Sequence, residues 1–127
     1  MRCIFIAGCA LVLAITMATA FAQSSESRML VQNSPLAGFQ YYQGKQLWKE
    51  IKVGDMLTLV REPANPHDSN AVRVEWQGQQ LGYVPRRDNR AVAMHMDRGG
   101  TVEARVSKLK EHRNPWQRIE FEVLVKL

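Results

Sequence analysis

Two strand-like runs, Met56–Val60 and Ala71–Trp76, end and begin against the segment Arg61–Asn70, and that segment constrains the chain most. Pro63 and Pro66 each fix their own φ and push the residues before them, Glu62 and Asn65, toward extended backbone. Asn65, Asp68 and Asn70 can each fold a side chain back onto a nearby backbone N–H. The pattern predicts a long hairpin connection held stiff by its own sequence. Polar loops on a β scaffold are favoured places for binding residues, and the alternative is a stiff connector with no further role.

Residues 1–22 read as a secretory signal peptide. Arg2 is a minimal basic start, Ile4–Ala18 is an apolar run, and Ala20-Phe21-Ala22 is a cleavage box that leaves Gln23 as the new N-terminus. The run is short for a membrane span and no basic stop-transfer cluster follows it, so no stable membrane insertion is expected after cleavage. The expected destination is exported, either periplasmic or secreted. Both cysteines, Cys3 and Cys9, lie in the segment to be removed. The mature chain is therefore expected to fold without disulfide, metal or other cofactor, on its core alone. Removing residues 1–22 leaves 105 residues, enough for one domain with one modest core. It also leaves 16 basic against 12 acidic residues, a surface compatible with a polyanionic partner.

Along the chain, Gln23–Arg28 is a flexible polar lead-in and Met29–Gln32 a first strand, broken by Asn33-Ser34-Pro35. The main domain then runs over 35–127. Leu36–Tyr42 reads as an extended apolar and aromatic segment, and Lys45–Ile51 as one or two helical turns with Leu47, Trp48 and Ile51 on one face. Met56–Arg61, Ala71–Trp76 and Gln80–Val84 are the next strands, the last two joined by a tight turn at Gln77-Gly78-Gln79. Arg86–Arg98 reads as one helix, ended by Gly99-Gly100, with Arg86, Arg90 and Met94 on one stripe. Thr101–Lys110 is a strand whose parity changes at Leu109, as a bulge would produce. A turn around Asn114-Pro115 leads to the last strand, Arg118–Leu127, where Ile119, Phe121, Val123 and Val125 alternate with polar residues. The expected fold is mainly β: a small, six-stranded antiparallel OB-like barrel with one or two short helices, closed because closure removes exposed edges.

The run Arg61-Glu62-Pro63-Ala64-Asn65-Pro66-His67-Asp68-Ser69-Asn70-Ala71-Val72 is preceded by Ala37–Gly44. It is followed, after one short strand, by Leu81-Gly82-Tyr83-Val84-Pro85-Arg86. Together these motifs resemble the HIRAN domain, over about Pro35–Leu127. The resemblance implies a modified OB barrel and, in members that bind single-stranded DNA ends, a set of roles. Tyr41 would stack on a base. His67 stands where binding members carry a stacking Tyr. Asp68 would receive the terminal 3′-hydroxyl. Tyr83 and Arg86 stand where members carry a His and a basic residue, and Arg87 adds a second cation beside them. Gln40 replaces an Arg that contacts DNA, which removes one phosphate contact and lowers salt dependence. Tyr42, Asn65, Asn70 and Arg90 are accessory candidates.

The residue chemistry leaves alternatives open at each position. Adjacent Tyr41 and Tyr42 point to opposite faces of an extended chain, so one can project as a stacking platform, or both can be buried. Asp68 accepts hydrogen bonds only, which suits a free hydroxyl and repels a phosphate; it equally suits a turn cap. The arginines after Pro85 form a phosphate cradle or a solvated helix face. The three histidines, His67, His95 and His112, are scattered, and no catalytic constellation appears, so no enzyme activity is expected. The first functional expectation is a nucleic-acid-binding module for single-stranded DNA with a free 3′-hydroxyl end. The second is an exported interaction domain for a peptide, a glycan or a cell-envelope protein partner. If the leader is read correctly, intact-mass analysis of exported protein gives a chain beginning at Gln23; a mass that retains residues 1–22 contradicts it.

Overall fold

The computed structural model describes residues 27–127, so the expected leader and most of the lead-in lie outside the described residues. Six strands are ordered β1 (Arg28–Pro35), β2 (Met56–Arg61), β3 (Val72–Trp76), β4 (Gln79–Tyr83), β5 (Val102–Leu109) and β6 (Ile119–Lys126) along the chain. They form one antiparallel sheet in the order β1-β6-β5-β2-β3-β4. Two short helices, α1 (Gly44–Leu47) and α2 (Arg90–Asp97), and three single 3₁₀ turns complete the fold.

The two outer strands meet. Beyond the end of β1, Ala37 forms a bridge with Tyr83 of β4. The Ala37 N–H donates to the Tyr83 carbonyl and the Tyr83 N–H to the Ala37 carbonyl, both at 2.9 Å. The sheet thereby closes into a small OB-like barrel. The close approach requires Gly82: a Cβ there would stand 2.1 Å from the Ala37 carbonyl oxygen. The ladder between β3 and β4 shifts register just before this point, after Val74. Such a bulge bends a strand, here into the closure.

Inside the barrel the alternating residues meet. Ile119, Phe121 and Val123 of β6 pack with Ala104 and Val106 of β5, Leu57 and Leu59 of β2, and Val72, Val74 and Trp76 of β3. Leu47, Ile51 and the part-buried Trp48 present one face to this core, as their spacing predicts, although α1 itself is a single turn. The β3–β4 connection is a two-residue turn with positive φ at both Gln77 (47°) and Gly78 (78°), the geometry that matches strand twist. The expected bulge in β5 falls at Ser107, between Val106 and Lys108.

Three expectations are corrected. First, β1 continues through Asn33 and Ser34 to Pro35, paired with Glu120. Pro35 ends an outer strand, where a missing N–H costs no central ladder bond. Second, Leu36–Tyr42 is not extended throughout: Gly38 takes a left-handed conformation and Phe39–Tyr41 form a 3₁₀ turn that buries Phe39. Third, Arg86–Arg98 is not one helix. Arg86–Asp88 form a 3₁₀ turn, with the Asp88 N–H donating to the Pro85 carbonyl at 2.9 Å, and α2 starts only at Arg90. Asn89 lies between them, 2% exposed, with its side chain committed to a tertiary hydrogen bond. The stripe of Arg86, Arg90 and Met94 on one helix therefore does not exist.

Gly82→Ala should lower urea stability by about 1–3 kcal/mol, the usual range for overpacking a well-packed position. Unchanged stability would show that the seam can open without cost.

Candidate nucleic-acid interface

The β2–β3 connection is a closed loop, fastened at its base by the Glu62 N–H donating to the Ala71 carbonyl at 2.9 Å. Inside it, the Asn65 side-chain oxygen accepts the N–H groups of His67 (2.9 Å) and Asp68 (3.3 Å), and Asp68 Oδ1 accepts the Asn70 N–H at 2.9 Å. Arg61 ties the loop to α2. Its guanidinium donates to the carbonyls of Ser69 (2.7 Å) and Ala71 (3.1 Å) and forms a two-point pair with Asp97 at 3.0 and 3.2 Å. Two-point Arg–carboxylate pairs are more directional than single contacts.

A second network lies beneath the loop. Glu62 Oε1 accepts the Tyr83 hydroxyl at 2.9 Å and the Asn65 amide at 3.1 Å, while Oε2 accepts Arg73 Nη1 at 3.2 Å. Burial, followed by the bond to Glu62, raises the Tyr83 pKa. The hydroxyl is thus a committed donor, and Tyr83 offers a ligand chiefly its ring. Tyr42 packs edge-on to that ring, with centroids 5.8 Å apart.

Above this network is a groove of about 440 Å³. Tyr42, Asn65, His67, Asp68, Tyr83 and Arg86 line it, and the seam residue Ala37 contributes to it. Ala71, Val84 and Trp116, the last 45% exposed, complete the lining. Arg86 donates to the His67 carbonyl and stands 3.8 Å from the Asp68 carboxylate. Asn89 donates to Asp68 Oδ2 at 2.7 Å. Burial alone would raise the Asp68 pKa, but the Asn70 N–H, the Asn89 amide and the charges of Arg86 and Arg61 outweigh it and lower it. The carboxylate is therefore held ionised. It has acceptor positions beyond those that Asn70 and Asn89 fill.

The other candidates lie around this groove. Tyr41 is 77% exposed and projects, while Tyr42 packs. Arg87 lies beside Pro85, Arg86 and Trp116 in a shallow extension and pairs with Asp88 at 3.8 Å. Arg90 faces a different depression with Gln32 and Met94, and Gln40 lines a separate groove. Asn70 contributes its backbone N–H to Asp68 and is not part of the lining.

Four contributors have no place in the sequence-based set. Trp116 carried a readable signal, a large aromatic in a Pro-containing turn. Arg61, Glu62 and Asn89 act on partners 36, 21 and 21 residues away, and no local pattern reports such contacts.

Fold and groove together define a small OB-like barrel that carries a polar and aromatic groove across its closing seam. A HIRAN-domain sequence profile matches residues 29–127, and the chain belongs to the HIRAN domain family. The helicase-like transcription factor of Mus musculus is 35% identical over 82 residues, which is 61% of this chain but only 8% of that protein. A crystal structure of a Lactobacillus plantarum protein superposes with a TM-score of 0.71 at 26% identity, covering 80% of this chain and 97% of that one. The HIRAN domain of human HLTF shares the fold, with a TM-score of 0.57 at 23% identity over 78% of this chain and 77% of that one.

The Asp68 network makes a pH prediction. A carboxylate whose folded pKa is lowered adds stability above its unfolded value, about 3.9, and loses it as pH falls through the folded value. Wild-type urea stability should therefore drop below about pH 4 more steeply than that of Asp68→Asn. Parallel pH profiles would show that the carboxylate gains nothing from its partners.

Proposed function

We propose that this domain binds single-stranded DNA by a free 3′ end, in the groove across the seam. The observation that carries the reading is Asp68: an ionised, accept-only group held by Asn70 and Asn89 inside a groove walled by aromatic rings, with Arg86 beside it. Such a carboxylate receives a hydroxyl and repels a terminal phosphate. In this reading the terminal base stacks among His67, Tyr42 and Trp116, and Tyr41 offers its exposed ring to a base further along. Arg86 and Arg87 hold phosphates. The loop's own hydrogen bonds keep these groups in place before the ligand arrives, which lowers the ordering cost of binding.

The leader expected from the sequence favours a second reading, in which the domain is exported and the same groove takes a peptide or glycan of the cell envelope. Aromatic walls with amide and carboxylate groups suit either ligand.

Fluorescence anisotropy with oligonucleotides ending in a 3′-hydroxyl or a 3′-phosphate separates the readings. Wild type should prefer the hydroxyl end. Asp68→Ala should lose that preference, with little loss on the phosphate end. Arg86→Ala should weaken both ends and flatten the salt dependence by about one unit of slope. Tyr41→Ala should cost about 1–3 kcal/mol. Melting curves must accompany each titration, because Arg86 and Asp68 also hold the loop. No binding to either end at low salt contradicts the DNA reading and leaves the envelope reading.

A further inference from the structure

We propose that a second groove, behind the wall that carries Tyr41, is a subsite for the bases that precede a bound 3′ end. The inference rests on the end-binding reading above. Two 3₁₀ turns, Phe39–Tyr41 and Pro115–Gln117, pack against each other and build that wall. The wall has a groove on each side: Tyr42, just after the first turn, and Trp116 line the groove that holds Asp68, while Phe39 and Pro115 line the second. The second groove has about 430 Å³, close to the first. Tyr41 lines neither and is exposed in the turn between them.

The lining of the second groove suits a base. Trp48 stands edge-on to Phe39, with centroids 5.8 Å apart. The Arg118 guanidinium lies 5.0 Å from the Phe39 ring centre and is steadied by its Nε–H donating to the His112 carbonyl at 2.7 Å. Phe39 itself is buried, so the planes open to a base are the Arg118 guanidinium and the part-buried Trp48; both kinds of plane stack on bases with little regard to sequence. Lys45, in α1, is exposed and has no ion pair among the described residues. It is available for a phosphodiester. Glu111 is the one carboxylate in the lining. It repels phosphate and accepts from amino groups, so the base lies in the groove and the backbone runs on the Lys45 side. A strand anchored by its end at Asp68 would pass the Tyr41 ring and reach this groove next, so the two grooves and the ring between them form one path.

Anisotropy with a dinucleotide, which ends at the Tyr41 ring, and an octanucleotide, each with a 3′-hydroxyl, tests the path on wild type and Lys45→Gln. A strand held by its single end gains no extra binding registers with length, so any gain reports new contacts. Wild type should bind the octanucleotide about tenfold more tightly than the dinucleotide. Lys45→Gln should remove most of that gain and lower the salt slope by about one for the octanucleotide alone, with the dinucleotide unchanged. Equal affinity for both lengths, or equal weakening of both by Lys45→Gln, overturns the subsite and leaves end binding standing. No binding of either length overturns both.

Discussion

The pair of backbone hydrogen bonds between Ala37 and Tyr83 is the contact on which the rest depends. It joins the two outer strands of the sheet, and the candidate groove is built directly on it. Ala37 and Tyr83 line the groove, Tyr42 follows Ala37 by one turn, and Pro85 and Arg86 follow Tyr83. Only a residue without a Cβ lets the two backbones approach this closely, and Gly82 supplies it. The same constraint that removes the sheet's exposed edges therefore sets the spacing of the aromatic and basic residues across the groove.

The loop above the seam is held from three directions. Arg61 and Asp97 fasten it to α2, Glu62 joins it to Tyr83 of β4, and Asn89 fixes the Asp68 carboxylate. The price of the last contact is a helix interrupted at Asn89, whose side chain serves the loop instead of capping α2. A buried amide without a partner would be costly, so Asp68 and Asn89 depend on each other. This gives Asp68 two duties, a structural one toward Asn70 and Asn89 and a proposed one toward a ligand. The turn-cap and ligand readings of this residue are compatible, because two hydrogen bonds do not exhaust a carboxylate.

Much of the strand framework was legible in the sequence because period-two alternation and turn chemistry are local. Met56–Arg61 has the predicted bounds, and the alternation of Ile119, Phe121, Val123 and Val125 reports their burial. The departures occur where a distant partner overrides local preference. Asn89 breaks a helix that its neighbours would continue, and Gly38 with Phe39 turns a segment that reads as extended. In the groove, the loop residues and the residues after Tyr83 were legible through their resemblance to a known domain. Trp116 lies 30 residues beyond Arg86 and reaches the groove only through the packing of two 3₁₀ turns. The Arg61–Asp97 and Glu62–Tyr83 contacts are likewise products of the closed barrel.

The central claim is that the groove across the Ala37–Tyr83 seam receives the ligand. Amide chemical-shift mapping with a short single-stranded DNA bearing a 3′-hydroxyl tests it most directly. The account predicts saturable shifts concentrated at Ala37–Tyr42, Asn65–Ala71, Tyr83–Arg87 and the Trp116 indole, with the outer face of β5 and β6 silent. Shifts centred on that outer face, or none at these positions at a saturating DNA concentration, would contradict it.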